Sequence, residues 1–437
     1  MGKKVLKFGG SSLADASQFK RVSDIIRAES DRRYIVASAP GKRFDNDEKV
    51  TDMLYSCYNI AAGKGDITPV FSKIQERYNG IISDLGLDFS LDDEFEKIRM
   101  SILHHAGRDY IASRGEYLNA MILAKYLGYD FIDAEGIIFF YENGELDPEL
   151  TNDIMSRVLA NHERAVIPGF YGVMPNGTIR TFSRGGSDIT GSIVARAVKA
   201  ELYENWTDVS GMLMADPRLV ENPKTIDIIT YKELRELSYM GATVLHEDAI
   251  FPVREAGIPI NIRNTNKPEA NGTLIISEID NDTSDGVITG IAGKKGFSTI
   301  TVEKGKMNKT LFIGEIAHCM KHRHINIEHM PTGIDTISVI TSTESLKGKE
   351  GDILASFDRH IEPDSVTIND GVALIAVVGR KMVKSKGTAA RILNAVGEAG
   401  VNIKMLDQGS SELNIIIAVN EEDYIKALKA IYSEFNA

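Results

Sequence analysis

Lys7 stands between Leu6 and Phe8 in an alternating stretch that is followed at once by Gly9, Gly10, Ser11 and Ser12. Two successive residues without a Cβ let backbone N–H groups approach an oxyanion closely, and a helix that starts just beyond adds its partial positive charge. Phosphate binding is the chemistry that suits such a loop, with Lys7 as the cation beside it. A second group, Phe182-Ser-Arg-Gly-Gly-Ser-Asp188, places Arg184 ahead of two glycines and Ser187. The planar guanidinium fork matches a carboxylate or a phosphate, and the glycines open a helix carrying Ile189, Ile193 and Ala197. A third polar turn, Thr207-Asp-Val-Ser-Gly211, is followed by Asp216-Pro-Arg218. Neither GxxxxGK[ST] nor the protein-kinase motif set occurs, so a phosphate site here is of neither the Walker nor the protein-kinase kind.

These groups need elements to bring them together. Val5, Leu6 and Phe8 read as a short strand, and Phe19, Val22, Ile25 and Ile26 recur at helical spacing. Tyr34 to Ser38, Ala165 to Ile167 and Leu202 to Trp206 read as later strands with helical stretches between them, which predicts an α/β domain with a largely parallel sheet. Ligands bind outside the carboxyl ends of parallel strands, so the three polar turns are expected to converge there. The polar stretches 264–272 and 280–286 look like closing loops and place a boundary near residue 285. Beyond it a helix followed by a β-branched strand occurs twice, from Gly314 to Ile327 and from Ala390 to Ile403. The repeat predicts a pair of α+β modules, each strand-helix-strand-strand-helix. The expected division is 1–285, 286–369 and 370–437, with the first strand of the middle segment able to belong to the last module.

The chain has 437 residues, 43% hydrophobic and 26% charged, which fits folded domains and not disorder. Lys plus Arg number 50 against 62 Asp plus Glu, a net charge of −12, so neither a nucleic acid nor a membrane surface is an expected partner. An anionic substrate then requires a local cationic pocket. Val372 to Val378 is too short to span a bilayer and reads as a buried strand. The first residues run into a strand without an apolar leader core, and Cys57 and Cys319 have no metal-site spacing, so the cytoplasm is the expected location. His318 and His322 lie four apart on a helix without HExxH. With Ile313, Ile316 and Met320 as its buried face, the histidines are assigned to a solvated or interface face. The charged stretch from Lys42 and Arg43 to Lys49 is read as a solvated loop.

Together these residues resemble aspartate kinase, within the amino-acid-kinase fold. Lys7-Phe-Gly-Gly-Ser-Ser12, Arg114-Gly-Glu116, Phe182 to Asp188, Trp206 to Gly211 with Asp216-Pro-Arg218, and Gly241-Ala with Val244-Leu-His246 appear in the family's order. The tandem modules resemble its two regulatory ACT domains, which are ferredoxin-like, and a monofunctional enzyme without a dehydrogenase extension is expected. Two departures stand out: Thr243 where the family often carries Lys, and Leu213 where an aromatic lies near the nucleotide.

The resemblance implies transfer of the ATP γ-phosphoryl group to the β-carboxylate of L-aspartate, the first step toward lysine, threonine and methionine. It implies that Lys7 neutralises phosphate charge and Asp188 holds its ammonium, while Gly9, Gly10 and Ser11 donate backbone N–H groups. Arg184 would clamp the substrate α-carboxylate and Glu116 its α-ammonium, with Ser38, Thr51 and Ser187 placing the substrate and Thr207, Asp208 and Arg218 on the nucleotide side. Mg²⁺ is expected with ATP, held by phosphates and waters. An amino-acid effector, lysine first and threonine second, would sit between Met307, Asn308 and Thr310 and the strand Asn326, Ile327 and Glu328. A homodimer or homotetramer through the ACT modules is expected. Two other readings are a kinase of the same fold for a different acidic substrate, and an amino-acid sensor without catalysis.

Overall fold

The computed structural model describes residues 2–183, 185–242, 245, 247–279, 286–305 and 309–436. It divides into two compact units. The first comprises Met1–Met212, Thr225–Tyr231 and Val244–Asn281, and the second Leu213–Lys224, Lys232–Thr243 and Asp282–Ala437.

The first unit is built on strands β1 (Lys4–Phe8), β2 (Arg32–Ala37), β3 (Asp130–Phe131), β4 (Ala165–Pro168), β7 (Leu202–Thr207), β8 (Ile228–Thr230), β9 (Ile260–Asn264) and β10 (Thr273–Ile276). They form one sheet in the order β3-β4-β2-β1-β7-β9-β10-β8, parallel throughout except between β9 and β10. A separate hairpin pairs β5 (Tyr171–Val173) with β6 (Ile179–Thr181). The helices are α1 (Ala16–Arg27), α2 (Val50–Ala62), α3 (Thr68–Asp84), α4 (Asp92–Leu103), α5 (Arg108–Leu127), α6 (Pro148–Leu159), α7 (Gly186–Ala197) and α9 (Glu247–Glu255), with α8 (Tyr231–Tyr239) beginning at the unit's edge.

Alternation along the strands sorts the layers. Leu6 and Phe8 of β1, with Ile35 and Ala37 of β2, bury one face against α1 to α5 through Val22, Ile26, Cys57, Ile74, Tyr78, Leu118 and Ile122. Each such side chain contributes about 1.5–3 kcal/mol of burial, so this face fixes the register of the central strands. Lys7, one position out of phase, faces the other way and meets α7.

The second unit carries β11 (Gly290–Glu303), β12 (Thr336–Ser342), β13 (Ser365–Val378), β14 (Met405–Asp407) and β15 (Asn414–Asn420) as one antiparallel sheet in the order β12-β11-β13-β15-β14. Its helices are α10 (Lys309–His322), α11 (Thr343–Leu346), α12 (Glu350–His360), α13 (Thr388–Glu398) and α14 (Tyr424–Asn436). Two hydrophobic clusters on this sheet mark two modules. One joins Ile300, Val302, Ile316, Met320, Ile353 and Phe357, and the other joins Ile291, Ile375, Val377, Ile392, Val396, Ile417 and Leu428.

The sequence reading needs correction at several points. Met214 accepts a backbone hydrogen bond from Ile291 at 2.7 Å, and Ala215 and Val220 join the core of Ile288 and Ile291. Residues 213–224 and 232–243 therefore belong with the second unit, unlike a single cut at 285. The cut between 369 and 370 falls inside the continuous strand β13, and Gly290 to Lys294 pair with its far half, Leu374 to Val378. Residues 325–327 are not a strand: His324 adopts a left-handed φ of 52° just before them, and only the isolated bridges from His329 to Ile340 and Thr332 to Ile337 follow. In the second module the strand begins at Met405 and not at Val401. Ile313 is exposed, whereas Ile316 and Met320 are buried as expected.

Candidate active site

Three adjacent parallel strands, β2, β1 and β7, end side by side, and their following residues meet at one edge of the sheet. These are Ser38 to Pro40, Gly9 to Ser11, and Thr207 with Asp208, and all of them line one cavity of about 620 Å³. Glycine is required where the turns touch. A Cβ on Gly10 would lie 2.9 Å from the Ala39 carbonyl oxygen, and one on Gly41 would lie 2.6 Å from the Gly10 carbonyl carbon. The Gly41 N–H donates to the Gly10 carbonyl at 2.8 Å, so two loop backbones run in contact.

Lys7 is buried behind this turn, its Nζ 2.6 Å from Asp188 Oδ1. Asn205, the β7 residue in register with Lys7, donates from Nδ2 to the same carboxylate oxygen at 2.8 Å. Asp188 occupies the first turn of α7, where a carboxylate is favoured by the helix dipole. Gly185 initiates that helix with a left-handed φ of 58°. Ser187 Oγ packs against Gly169 at the end of β4, at a position a Cβ would occupy. The result is an ammonium held by a carboxylate beside a glycine turn, an arrangement that stabilises negative charge moving between oxygens.

Glu116 enters the same cavity from α5. Burial pushes its carboxyl up to about 8, only partly opposed by N–H donors from Ala39 and its own backbone and by the charge of Arg114. Its Oε2 is buried without a hydrogen-bond partner among the described residues. A buried acceptor in that state is costly and calls for a donor, preferably a cation, from a ligand. Asn119, one turn further along α5, holds the Ser38 carbonyl at 2.7 Å and so ties α5 to the turn after β2.

Of the predicted residues, Gly9, Gly10, Ser11, Ser38, Thr51, Glu116, Thr207 and Asp208 all line the cavity, and Lys7 lies next to Gly9. Arg184 lies outside the described residues, as do Thr243, Val244 and His246. Arg218 is in the second unit, exposed and paired with Asp216 at 2.6 Å. Arg114 of the Arg-Gly-Glu motif turns away into a cage of Tyr110, Tyr117 and Tyr171, each ring centroid within 5.2 Å of the guanidinium carbon. Lys42, Arg43, Phe44, Asp45 and Lys49, read as a solvated loop, also line the cavity. Their charge was visible in the sequence; their placement was not.

Met307 and Asn308 lie outside the described residues, and Thr310 falls in α10 with an undescribed side chain. Glu328 is described, and its carboxylate accepts a hydrogen bond from the Tyr239 hydroxyl of α8. Its backbone N–H donates to Ile340, and the Asn326 carbonyl accepts from Thr341. Ile327 lies between them, partly buried.

A mostly parallel sheet carries a glycine turn and a buried lysine at its carboxyl edge, and comparison with known proteins identifies the class. The amino acid kinase family model matches residues 2–264 and an ACT domain model matches residues 375–435. Aspartokinase 3 of Bacillus subtilis is 37% identical, the match covering 99% of each chain. The crystal structure of Clostridium acetobutylicum aspartate kinase superposes with a TM-score of 0.90 at 49% identity, covering 100% of both chains. Escherichia coli aspartokinase III, solved in complex with lysine and aspartate, shares the fold at 23% identity, with a TM-score of 0.74 and 100% coverage of both chains. The chain belongs to the amino acid kinase family, in its aspartokinase branch, and is an ATP-dependent kinase with a C-terminal ACT region.

Proposed function

We propose that the chain transfers the γ-phosphoryl group of ATP to the β-carboxylate of L-aspartate, giving 4-phospho-L-aspartate. The observation that carries this reading is a cavity that holds a Glu116 oxygen lacking a partner among the described residues, with the buried Lys7–Asp188 ion pair behind the Gly9 that lines it. An acceptor carboxylate is already ionised at neutral pH, so no general base is needed. The barrier is repulsion between anions, and Lys7 with the N–H groups of Gly9, Gly10 and Ser11 offsets it. Asp188 and Asn205 keep the Lys7 ammonium in place. Glu116 takes the substrate α-ammonium, Arg184 its α-carboxylate, and Ser38, Thr51 and Ser187 its remaining polar edge. Thr207 and Asp208 face the nucleotide. Arg218, assigned to the nucleotide by resemblance, is exposed and paired with Asp216, and its nucleotide role stays part of the proposal.

The cavity's oxygen donors, the Asp208 carboxylate and the Thr207 hydroxyl, fit Mg²⁺ carried in on nucleotide phosphates and waters. When bound, that ion would neutralise charge between the β- and γ-phosphates. Among the described residues no cluster of three or more His, Cys, Asp or Glu is arranged to hold a metal. Among those residues, too, no helix is long and apolar enough to cross a membrane. The product feeds synthesis of lysine, threonine and methionine in the cytoplasm, and the ACT modules bind lysine, with threonine second, and pair between copies in a dimer or tetramer.

Release of ADP tests the reaction when aspartate, glutamate, N-acetylglutamate and UMP are offered in turn. Aspartate is expected to be the one productive acceptor: N-acetylglutamate and UMP lack the free α-ammonium that Glu116 requires, and the extra methylene of glutamate displaces its side-chain carboxylate from the phosphoryl group. Equal rates with N-acetylglutamate would refute the role of Glu116, and no rate with aspartate would refute the reaction.

A further inference from the structure

Arg77 lies on α3, outside the lining of the active-site cavity, and its side chain is 5% exposed. Its guanidinium reaches both loops that build the cavity wall. One terminal nitrogen donates to the Ala14 carbonyl, just after the glycine turn, at 3.3 Å, and to the Gly41 carbonyl of the following loop at 3.2 Å. The other donates to Asp47 Oδ2 at 2.6 Å and to the Glu48 carbonyl at 3.4 Å. Asp47 is in turn held by Arg43, through Nε at 2.8 Å, NH2 at 2.9 Å and the backbone N–H at 3.0 Å. The neighbouring guanidinium groups hold its carboxyl well below the ordinary carboxylate range.

The segment so gripped runs from Gly41 to Lys49 and leads directly into the first turn of α2, which carries Thr51. It has no regular secondary structure of its own to set its path. Only a planar fork with several donors can satisfy two carbonyls in one direction and a carboxylate and a third carbonyl in another.

We infer that Arg77 is a positioning residue for phosphoryl transfer, which keeps the glycine turn and the 41–49 loop in register without touching substrate. The inference rests on the aspartokinase reading. Displacement of reacting groups by about 1 Å can cost about a hundredfold in rate, so loosening this clamp reaches catalysis from outside the cavity. The nucleotide-side residues Thr207 and Asp208 are held by other elements, the latter through its carbonyl by Asn264 at 3.2 Å. Loosening the glycine turn is therefore read in turnover, where its N–H groups meet the phosphoryl group in flight, and loosening the 41–49 loop that leads to Thr51 is read in aspartate binding.

The test compares full-length wild type with Arg77→Lys, which keeps a buried cation and removes the fork. The expected result is turnover lower by about tenfold or more and an aspartate KM raised about fivefold, with the ATP KM within about twofold. Limited trypsin digestion reads the loop without activity: cleavage after Lys42, Arg43 or Lys49 should speed up by about fivefold, with other sites unchanged. Kinetics like wild type in the folded variant would overturn the inference. So would an equal rise in both KM values with uniformly faster cleavage, which marks general loosening. Should Arg77→Lys fail to fold, Asp47→Asn carries the same test, since it loosens one arm of the clamp and leaves the carbonyl contacts; wild-type kinetics and digestion there would overturn it too. A wild type without aspartate-dependent ADP release sinks the proposed reaction instead, and the digestion pattern then judges the clamp alone.

Discussion

Burial holds the Glu116 carboxyl at about 8 against an ordinary 4.5, so near neutral pH it is largely protonated until a cation arrives. In the proposed role of Glu116 the substrate ammonium binds the ionised form, and below the raised value part of its binding energy goes into removing the proton. The aspartate KM should therefore fall as pH rises from about 6 toward about 8, by at most about tenfold per unit. Glu116→Gln should show a higher KM with little pH dependence. The same shift sets a stability trend. Because the folded pKa lies above the unfolded one, the native state holds the extra proton between about 4.5 and about 8, and stability falls as pH rises through that window. The Tm of Glu116→Gln relative to wild type should accordingly rise between pH 5 and pH 8, by differential scanning calorimetry. A pH-independent aspartate KM in wild type, with no such Tm trend, would contradict the assignment. Lys7, Asp188 and Glu116 were legible in the sequence because each sits in a motif of unusual composition. Arg77 was not, since a single arginine on an amphipathic helix carries no mark of the carbonyls it will meet. Arg114 was conspicuous in its motif, yet its guanidinium serves the tyrosine cage.

At the level of elements, the parallel strands β1, β2, β4 and β7 were readable from apolar runs bounded by glycine and polar turns. The short strands β3, β5, β6 and β8, of two or three residues each, have too few positions to show a period. Residues 325–327 misled because β-branched composition signals strand, whereas the turn at His324 redirects the chain. Packing near that point shapes the regulatory proposal. Tyr239 of α8 occupies the Glu328 carboxylate through its hydroxyl, so an effector ammonium must compete with that hydrogen bond or replace it. Glu328→Ala should retain catalysis and raise the lysine concentration for half-inhibition by about threefold or more, within a coupling of about 1–3 kcal/mol. Inhibition curves that superimpose on those of wild type would place the effector elsewhere.

Across the whole molecule, a net charge of −12 must be reconciled with two anionic substrates. The cavity offsets the acidic excess locally: Lys42, Arg43 and Lys49 match Asp45, Glu116 and Asp208 along its lining, and Lys7 lies behind its glycine turn. That concentration of cations was hidden from composition, because the loop supplying three of them reads as an ordinary solvated surface until Arg77 and Asp47 fix its course. The division into units was half legible: the repeat of two α+β modules could be read, but the return of residues 213–224 and 232–243 to the second unit depends on long-range packing that no local pattern signals. The central claim is that the Lys7 ammonium, held by Asp188, stabilises the phosphoryl group in flight. Aspartate-dependent ADP release by wild type and by Lys7→Met at saturating substrates tests it most directly. A folded Lys7→Met should lose turnover by about a hundredfold or more, corresponding to about 3 kcal/mol of transition-state stabilisation. A folded variant turning over near the wild-type rate would contradict the account.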